Sequence, residues 1–169
     1  MTQNGGVREW VVASGIIEGP DGVLLVQNRR RNGRVDWSPP GGVIEVAGGE
    51  SIRDGLTREV EEETGLRVTE WDGPLYDVRA EAAGLGWNLH VEVFRAVAYV
   101  GELRIDDPDG IVVDAGWFTA DGCADTLAGT WVPTHEPLLA WLDERWTDAR
   151  SYRYRIDGEQ AHAITIIRL

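Results

Sequence analysis

The fold is decided by one stretch, residues 40–66, whose sequence is PGGVIEVAGGESIRDGLTREVEEETGL. Ser51 followed by Asp54 fits a capping box, in which a hydroxyl group satisfies a free backbone N–H at the start of a helix. Gly65 fits the position just past a helix end, where glycine adopts the left-handed conformation without strain. The stretch therefore predicts a turn rich in proline and glycine, followed by a helix from Ser51 to Thr64.

Three carboxylates lie on one face of this predicted helix. Because successive helical residues are about 100° apart, Glu59, Glu62 and Glu63 fall within an arc of about 100°. Like charges at this spacing repel one another, so we expect a cation to compensate them. Mg²⁺ prefers oxygen ligands and often shares a substrate phosphate, so this face suits a joint magnesium and phosphate site. On spacing alone, a solvated acidic face explains the run equally well.

The same stretch resembles the Nudix box, the signature of the Nudix or MutT-like hydrolases. With U for an aliphatic residue, the box is Gly-x₅-Glu-x₇-Arg-Glu-U-x-Glu-Glu-x-Gly-U, and residues 50–66 fit its second part without exception. The gap from Gly42 to Glu50 holds seven residues where the family has five. We place this two-residue insertion near Val46-Ala47, in the loop before the helix. The resemblance extends more weakly from Trp10 to about Trp146, and it implies an α/β Nudix fold with a mixed β-sheet sandwiched between α-helices.

The resemblance also implies a role for each matching residue. The metal ligands that it implies are Glu59, Glu62, Glu63, Glu50 and Gly42, the last through its carbonyl, with that of Gly41 as an alternative. The metal is expected to be Mg²⁺, with Mn²⁺ as an alternative. Arg58 is expected to hold a box glutamate by a charge-assisted hydrogen bond and so to fix its orientation. Divalent ions neutralise a diphosphate, lower the pKa of bound water and position it for attack at phosphorus.

The group that accepts the proton from this water stays open between several carboxylates. Glu62 or Glu63 of the box can serve, because a nearby carboxylate is a suitable general base. Some members of the family use an acid outside the box. The candidates of that kind here are Asp114, Glu92 and Glu81.

Two side chains outside the box are candidates for substrate binding. Arg29 follows the second predicted strand, where family members often place a basic residue against a phosphate; a solvated loop is the alternative. Trp87 lies in the glycine-rich loop Gly84–Trp87, where an aromatic ring is suited to stack on a base or sugar, or to act as a lid. No subfamily marker is present, so the expected substrate is a nucleoside di- or triphosphate or a nucleotide sugar-like molecule.

Two other functions are compatible with the resemblance. A non-catalytic Nudix domain that senses a ligand need not keep metal carboxylates, so the intact set Glu59, Glu62 and Glu63 argues against it. An isomerase of isoprenoid diphosphates needs a cysteine near the site. Cys123 lies in a polar stretch that matches no such motif.

Further from the box, β-branched and apolar runs predict strands. Trp10–Ile17 and Val23–Val26 flank strong turn residues and predict a hairpin, with the second strand buried on both faces. The later predicted strands are Arg67–Trp71, Leu75–Ala80, Leu89–Val100 and Ile111–Phe118. An amphipathic pattern from Glu136 to Trp146 predicts a second helix.

The composition changes after Arg150. Residues 1–150 are therefore expected to form the Nudix domain, and residues 151–169 a C-terminal strand extension. Tyr152–Ile156 and Ala163–Ile167, joined by a turn at Asp157-Gly158, predict two paired strands. We expect this extension to pack on the same domain or on a dimer partner.

The overall composition excludes several classes of partner. The chain has 169 residues and a formal net charge of −13, which argues against binding to nucleic acids or to anionic membranes. An acidic protein that acts on an anionic small molecule needs local help from arginine or bound cations. Cys123 is the only cysteine, so neither an intrachain disulfide nor a multi-cysteine zinc site is available. No secretory pattern opens the chain, and we expect it in the cytoplasm.

Overall fold

The computed structural model describes residues 2–4 and 6–169. Its strands are β1 (Thr2–Asn4), β2 (Val7–Ile16), β3 (Glu18–Gly19), β4 (Gly22–Arg29), β5 (Val35–Ser38), β6 (Gly41–Val43), β7 (Arg67–Ala82), β8 (Trp87–Val100), β9 (Val112–Phe118), β10 (Arg150–Gln160) and β11 (Ala163–Arg168). Its helices are α1 (Ile52–Thr64), α2 (Ala120–Leu127) and α3 (Val132–Glu144), with 3₁₀ turns at Val46–Gly48 and Ala83–Leu85. Within these residues, no helix is long and apolar enough to cross a membrane.

The strands form two sheets. The larger has the order β1-β2-β8-β7-β10-β11, with β6 paired to β2. It is mixed, because β2 runs parallel to β8 and β7 runs parallel to β10, whereas its other pairs are antiparallel. The smaller sheet is antiparallel and consists of β3, β4 and β5, with β9 paired to β4.

Two hydrophobic clusters hold the helices against these sheets. Leu24 of β4 belongs to a cluster that includes Leu56 and Val60 of α1. Its neighbour Leu25 belongs to the other cluster, which includes Leu138 of α3. All five side chains are fully buried. The prediction that Val23–Val26 is buried on both faces is confirmed, and so is the α/β arrangement of mixed sheet between helices.

The box helix begins and ends as its local signals predict. The Ser51 hydroxyl accepts a hydrogen bond of 3.1 Å from the backbone N–H of Asp54. Gly65 ends the helix in the left-handed region at φ 77°. The two-residue insertion placed near Val46-Ala47 falls in the 3₁₀ turn just before α1. The extra length is therefore taken up before the helix starts, and the helical spacing of the carboxylates is unchanged.

The predicted hairpin of Trp10–Ile17 with Val23–Val26 is wrong. β2 lies in the larger sheet, and β4 lies in the smaller one. The turn residues do form a hairpin, but its first strand is β3, in which Glu18 pairs with Val23. The chain passes from the larger sheet to the smaller one at Ile17. The turn residues therefore connect β3 to β4, and not β2 to β4 as the local pattern predicted.

Other local predictions fail where tertiary contacts override them. The turn between the last two strands lies after Gln160, since Gln160 pairs with Ala163 and Gly158 sits at a register shift inside β10. α3 begins at Val132, before the predicted Glu136, and carries a proline in its first turn. α2 was not predicted. The predicted loop Gly84–Trp87 is a tight connection, in which the 3₁₀ turn leads directly into β8 and Gly84 packs closely against Gly158 of β10.

The C-terminal strands extend the larger sheet of the same chain. β10 pairs in parallel with β7 along six residues, from Arg150 opposite Tyr76 to Arg155 opposite Glu81. The inward side chains Tyr152, Tyr154 and Ile156 are buried in the main core. Because this extension contributes to the core, its removal is expected to affect the folding of the whole domain.

We expect Ile156→Ala to lower the free energy of unfolding by about 2–5 kcal/mol, because it opens a cavity beside α3 and β7. Urea unfolding followed by circular dichroism measures this change. The control is Val100→Ala, since Val100 is 57% exposed on β8. Equal stability of the two variants would show that β10 does not share the core.

Candidate active site

A cavity of about 540 Å³ lies between the acidic side of α1 and the N-terminal end of α3. Its acidic end is lined by Glu59 and Glu63 of α1 and by Asp107 and Asp109 of the loop before β9. The turn that opens the box contributes Gly41 and Gly42 to the wall. The apolar side chains that line it include Leu89, Val91, Val93, Ile111, Trp131 and Pro133. The cavity thus has an anionic end and an apolar wall.

Arg58 is the charged centre beside this cavity. Its Nε and Nη2 donate to the two carboxylate oxygens of Glu50 at 2.9 and 3.0 Å. Its Nη1 donates to Glu59 at 3.0 Å and lies 3.4 Å from Glu62. A bidentate pair of this kind fixes orientation as well as adding energy. Arg58 therefore orients three of the carboxylates of the box, as the resemblance implies for one of them.

The glycines of the turn let two carboxylates approach the backbone closely. A Cβ on Gly42 would lie 2.6 Å from the Glu59 carboxyl carbon, so any larger residue would displace that carboxylate. The backbone N–H of Gly41 donates to Glu63 Oε2 at 3.1 Å. The turn and the helix are thus locked together at the acidic end of the cavity.

The electrostatic field at this end disfavours further negative charge. Burial raises the pKa of Glu63 to about 8, and the neighbouring Glu59 and Asp107 add to this rise, while the N–H of Gly41 opposes it. Burial likewise raises the pKa of Glu59, against the opposing effect of Arg58. In contrast, the hydrogen bonds from Arg58 lower the pKa of Glu50. Glu59 and Glu63 are thus the two box carboxylates whose charged form is disfavoured by burial, and a nearby cation would favour that charged form.

The donor set fits a hard divalent cation. Glu59, Glu63 and the Gly42 backbone offer only oxygen atoms, and they line one cavity. Among residues 2–4 and 6–169, no three acidic, histidine or cysteine side chains form a complete metal cluster. Mg²⁺ often takes only one or two protein carboxylates and completes its shell with water and substrate phosphate. Two cavity carboxylates are sufficient for that mode of binding.

Gly55 lies in the middle of α1, where glycine disfavours a helix by about 1 kcal/mol relative to alanine. A Cβ at this position would lie 2.6 Å from Glu50 Oε1 and 2.8 Å from Ile44 Cδ1. The close neighbour that excludes a side chain is therefore Glu50 itself, held by Arg58. Glycine at this point of α1 makes room for the pair between Glu50 and Arg58.

The predicted site residues divide into two groups. Glu59, Glu63 and Gly42 line the cavity, whereas Glu50 and Glu62 contact Arg58 outside its lining. Those outside the lining also include Arg29, Trp87, Asp114, Glu92 and Glu81.

Three of these outlying residues make local contacts. Trp87 packs against Trp131, which does line the cavity, with ring centroids 6.0 Å apart. Asp114 accepts a hydrogen bond from the backbone N–H of Ala115. Glu81 is exposed beside Arg153. Their proposed roles in substrate or proton handling stay predictions.

Several cavity residues were missed from the sequence. They are Asn28, Arg30, Ser38, Asp107, Asp109 and Trp131. Arg30, rather than its neighbour Arg29, is the basic side chain at the wall. A polar Asn28 at the end of a strand predicted to be buried on both faces was a usable signal. No sequence signal pointed to Asp107. It accepts hydrogen bonds from the backbone N–H groups of Ile111 and Val112, and these depend on a loop conformation that the sequence does not specify.

Several known proteins resemble this chain in sequence or in fold. The sequence model of the NUDIX domain matches residues 8–142. The chain is 32% identical over 110 residues to the mouse (Mus musculus) 8-oxo-dGDP phosphatase NUDT18, an alignment that covers 64% of this chain and 32% of that protein. The chain thus spans about a third or less of the length of the curated relatives that it matches first.

Solved structures give the same result. The MutT NUDIX hydrolase from Burkholderia pseudomallei is 28% identical, with a TM-score of 0.59, over 68% of this chain and 86% of that one. The E. coli ORF135 protein is 23% identical, with a TM-score of 0.68, over 87% of this chain and 100% of that one. The second likeness is informative for the fold alone.

We expect Gly55→Ala to destabilise the protein by about 1–3 kcal/mol, although alanine is the better helix former by about 1 kcal/mol. The added methyl group would collide with Glu50 and Ile44. Urea unfolding measures the change, with Glu61→Ala as the control, because Glu61 is exposed on the same helix. A Gly55→Ala protein more stable than the parent would show that the close contact is not rigid.

The pKa of Glu63 predicts a dependence of stability on pH in metal-free buffer. Its carboxyl group holds a proton up to about pH 8 in the folded chain, but loses it near its ordinary value of 4.5 when unfolded. The folded state therefore binds more protons between these values, and the free energy of unfolding falls as the pH rises through this window.

Glu63→Gln is expected to flatten that fall, because glutamine keeps an acceptor for the Gly41 N–H but carries no charge. Urea unfolding in a chelator at about pH 5, 6, 7 and 8 measures the slope for both proteins. If the free energy of unfolding changes with pH equally in both proteins, burial of the charged Glu63 carboxylate does not destabilise the folded state.

Proposed function

The chain belongs to the Nudix family, and from this premise we propose that it hydrolyses a diphosphate bond in a nucleoside diphosphate derivative with Mg²⁺. Proteins of this family generally use a divalent metal ion and act on small nucleotide-like molecules. The observation that carries the proposal is the single cavity in which Glu59 and Glu63 face an apolar wall that includes Trp131. One end suits a cation with phosphates, and the other suits a flat, weakly polar group.

The polar end supports a division of labour between the box carboxylates. Glu50 anchors Arg58, and Arg58 in turn orients Glu59 beside Gly42. Glu59 and Glu63 would hold the divalent ion, which when bound supplies positive charge for the phosphates and a more acidic water. Glu62 contacts Arg58 at 3.4 Å and would help to balance the charge of the guanidinium group.

Between the two box glutamates predicted as proton acceptor, Glu63 has the better position. It lines the cavity and is held by the Gly41 N–H, whereas the Oε2 of Glu62 faces Arg58. We therefore assign the base to Glu63 rather than to Asp114, Glu92 or Glu81, which lie outside the cavity lining.

The phosphate contact proposed for Arg29 is better supplied by Arg30. Arg30 lines the cavity, while Arg29 is exposed outside its lining. Two guanidinium nitrogens of Arg30, Nε and Nη2, hold Asp36 at 2.7 Å each. Its third nitrogen remains for a phosphate oxygen. The substrate class of the mouse relative, a nucleoside diphosphate, is consistent with a nucleotide in this cavity.

The two alternative functions lack such support. The isomerase function needs a thiol at the site, but Cys123 is fully buried and lies outside the cavity lining. A purely ligand-sensing domain has no need for two carboxylates kept in a repulsive, partly dehydrated position. The cost of that arrangement favours a catalytic metal site.

We expect Glu59→Gln and Glu63→Gln each to lower kcat/KM by at least about 100-fold, through loss of a metal ligand or of the base. The assay measures phosphate and nucleotide release from a panel of nucleoside di- and triphosphates with Mg²⁺. Glu61→Gln is the matched control, because Glu61 lies on the exposed side of the same helix. Near-normal turnover by the Glu59 or Glu63 variant on the best substrate would overturn its assigned role.

A further inference from the structure

We propose that Asn28 determines ligand specificity, because Asp36 and Ser38 fix its amide so that the carbonyl oxygen alone faces the cavity as an acceptor. The ligand that it selects carries an N–H donor on its base. This inference rests on the proposed function only in taking the ligand to be a nucleotide.

The hydrogen bonds of Asn28 define which way its amide points. Its Nδ2 donates to Asp36 Oδ1 at 3.2 Å and to Ser38 Oγ at 2.9 Å. An amide nitrogen has two hydrogens, so both are used within the protein. A carboxylate accepts but does not donate, and a rotated amide would place its oxygen against the oxygen of Asp36.

Asp36 is itself held in place. Arg30 donates from Nε and Nη2 to the two carboxylate oxygens of Asp36, each at 2.7 Å. The bidentate geometry fixes the orientation of the Asp36 carboxylate. Asp36 does not line the cavity, but it positions Asn28, which does. It is therefore a positioning residue that acts through its neighbour.

The carbonyl oxygen of Asn28 is free to meet a ligand. Among the side chains of residues 6–169, no hydrogen bond ends at Oδ1, yet no buried side-chain oxygen or nitrogen lacks a partner. Oδ1 must therefore be in contact with solvent, although Asn28 as a whole is only 6% exposed. Asn28 lines the cavity, and we assign this opening at Oδ1 to it.

A fixed acceptor discriminates more sharply than a mobile one. A ligand with an N–H at this point replaces the water on Oδ1, whereas one without it leaves a nearly buried carbonyl group without a partner. A mobile amide would turn its NH₂ group toward a ligand that offers an acceptor. Asp36 and Ser38 prevent that compensation.

The test measures binding of nucleoside 5′-monophosphates by titration calorimetry in the presence of Mg²⁺. Each pair differs by one N–H group: guanosine against inosine for the 2-amino group, adenosine against purine riboside for the 6-amino group, and uridine against 3-methyluridine for the ring N–H. We expect the parent protein to bind at least one member without the N–H about tenfold more weakly or worse. Asn28→Leu should reduce that ratio to about twofold or less.

Asp36→Asn tests the positioning role, because it releases the amide of Asn28 while leaving Asn28 in place. We expect this variant also to lower the ratio of affinities within the nucleotide pair, with the melting temperature nearly unchanged. The matched control is Asp157→Asn, which breaks a similar exposed bidentate pair with Arg155 outside the cavity lining and should leave the ratio intact. If Asn28→Leu fails to fold, Asp36→Asn and Ser38→Ala carry the test.

The inference is overturned if all three pairs bind the parent protein within twofold of each other, or if the ratio survives in the Asn28 or Asp36 variants. Because binding is measured without turnover, the two proposals fail separately. If the nucleotide affinities differ as expected and the Asn28 and Asp36 variants lose this difference, but the protein hydrolyses no nucleotide, only the proposed hydrolase activity is contradicted. Normal hydrolysis with no N–H preference would count against Asn28 alone.

Discussion

The rest of the site depends on the bidentate salt bridge between Arg58 and Glu50. The two parallel hydrogen bonds join the end of the loop before α1 to the second turn of that helix. The same guanidinium group then reaches Glu59, whose carboxylate lies against Gly42 of the preceding turn. One cation thus ties three parts of the chain together at a point where anionic groups would otherwise separate. The absence of a side chain at Gly55 is the steric condition for this contact.

The strand β4 connects that site to the rest of the fold. Its apolar residues alternate between the two hydrophobic clusters, so it cannot slide or rotate without disturbing both. Asn28 and Arg30 lie at its end, where the strand passes from the core to the cavity wall. A strand buried on both faces is a rigid support. It brings the polar groups of the wall close to the acidic helix in space, although they lie before the box in the sequence.

The sequence predicts the box helix well, because its start, end and acidic face all depend on residues within one or two turns. The resemblance to the Nudix box extended this local result to the fold, which the family match and the solved structures bear out. The pairing of β2 with β8 rather than β4 depends on which sheet each strand joins, and no short stretch carries that information. Asn28, Asp107 and Trp131 were missed for the same reason. They become neighbours of the acidic helix only when four distant segments close one cavity.

The C-terminal strands contact the wall of that cavity indirectly. Tyr154 of β10 donates to Glu136 of α3 at 2.8 Å, and Arg168 of β11 pairs with the same carboxylate at 3.2 Å. α3 begins at Val132, directly after Trp131, so these strands brace the helix that carries the apolar wall. Because Tyr154 and Arg168 both contact Glu136, a substitution at either position is expected to shift α3 and the apolar wall. The hydrogen bonds of Arg58 with the box carboxylates do not involve these strands. The apolar wall and the acidic end of the cavity therefore depend on different parts of the chain.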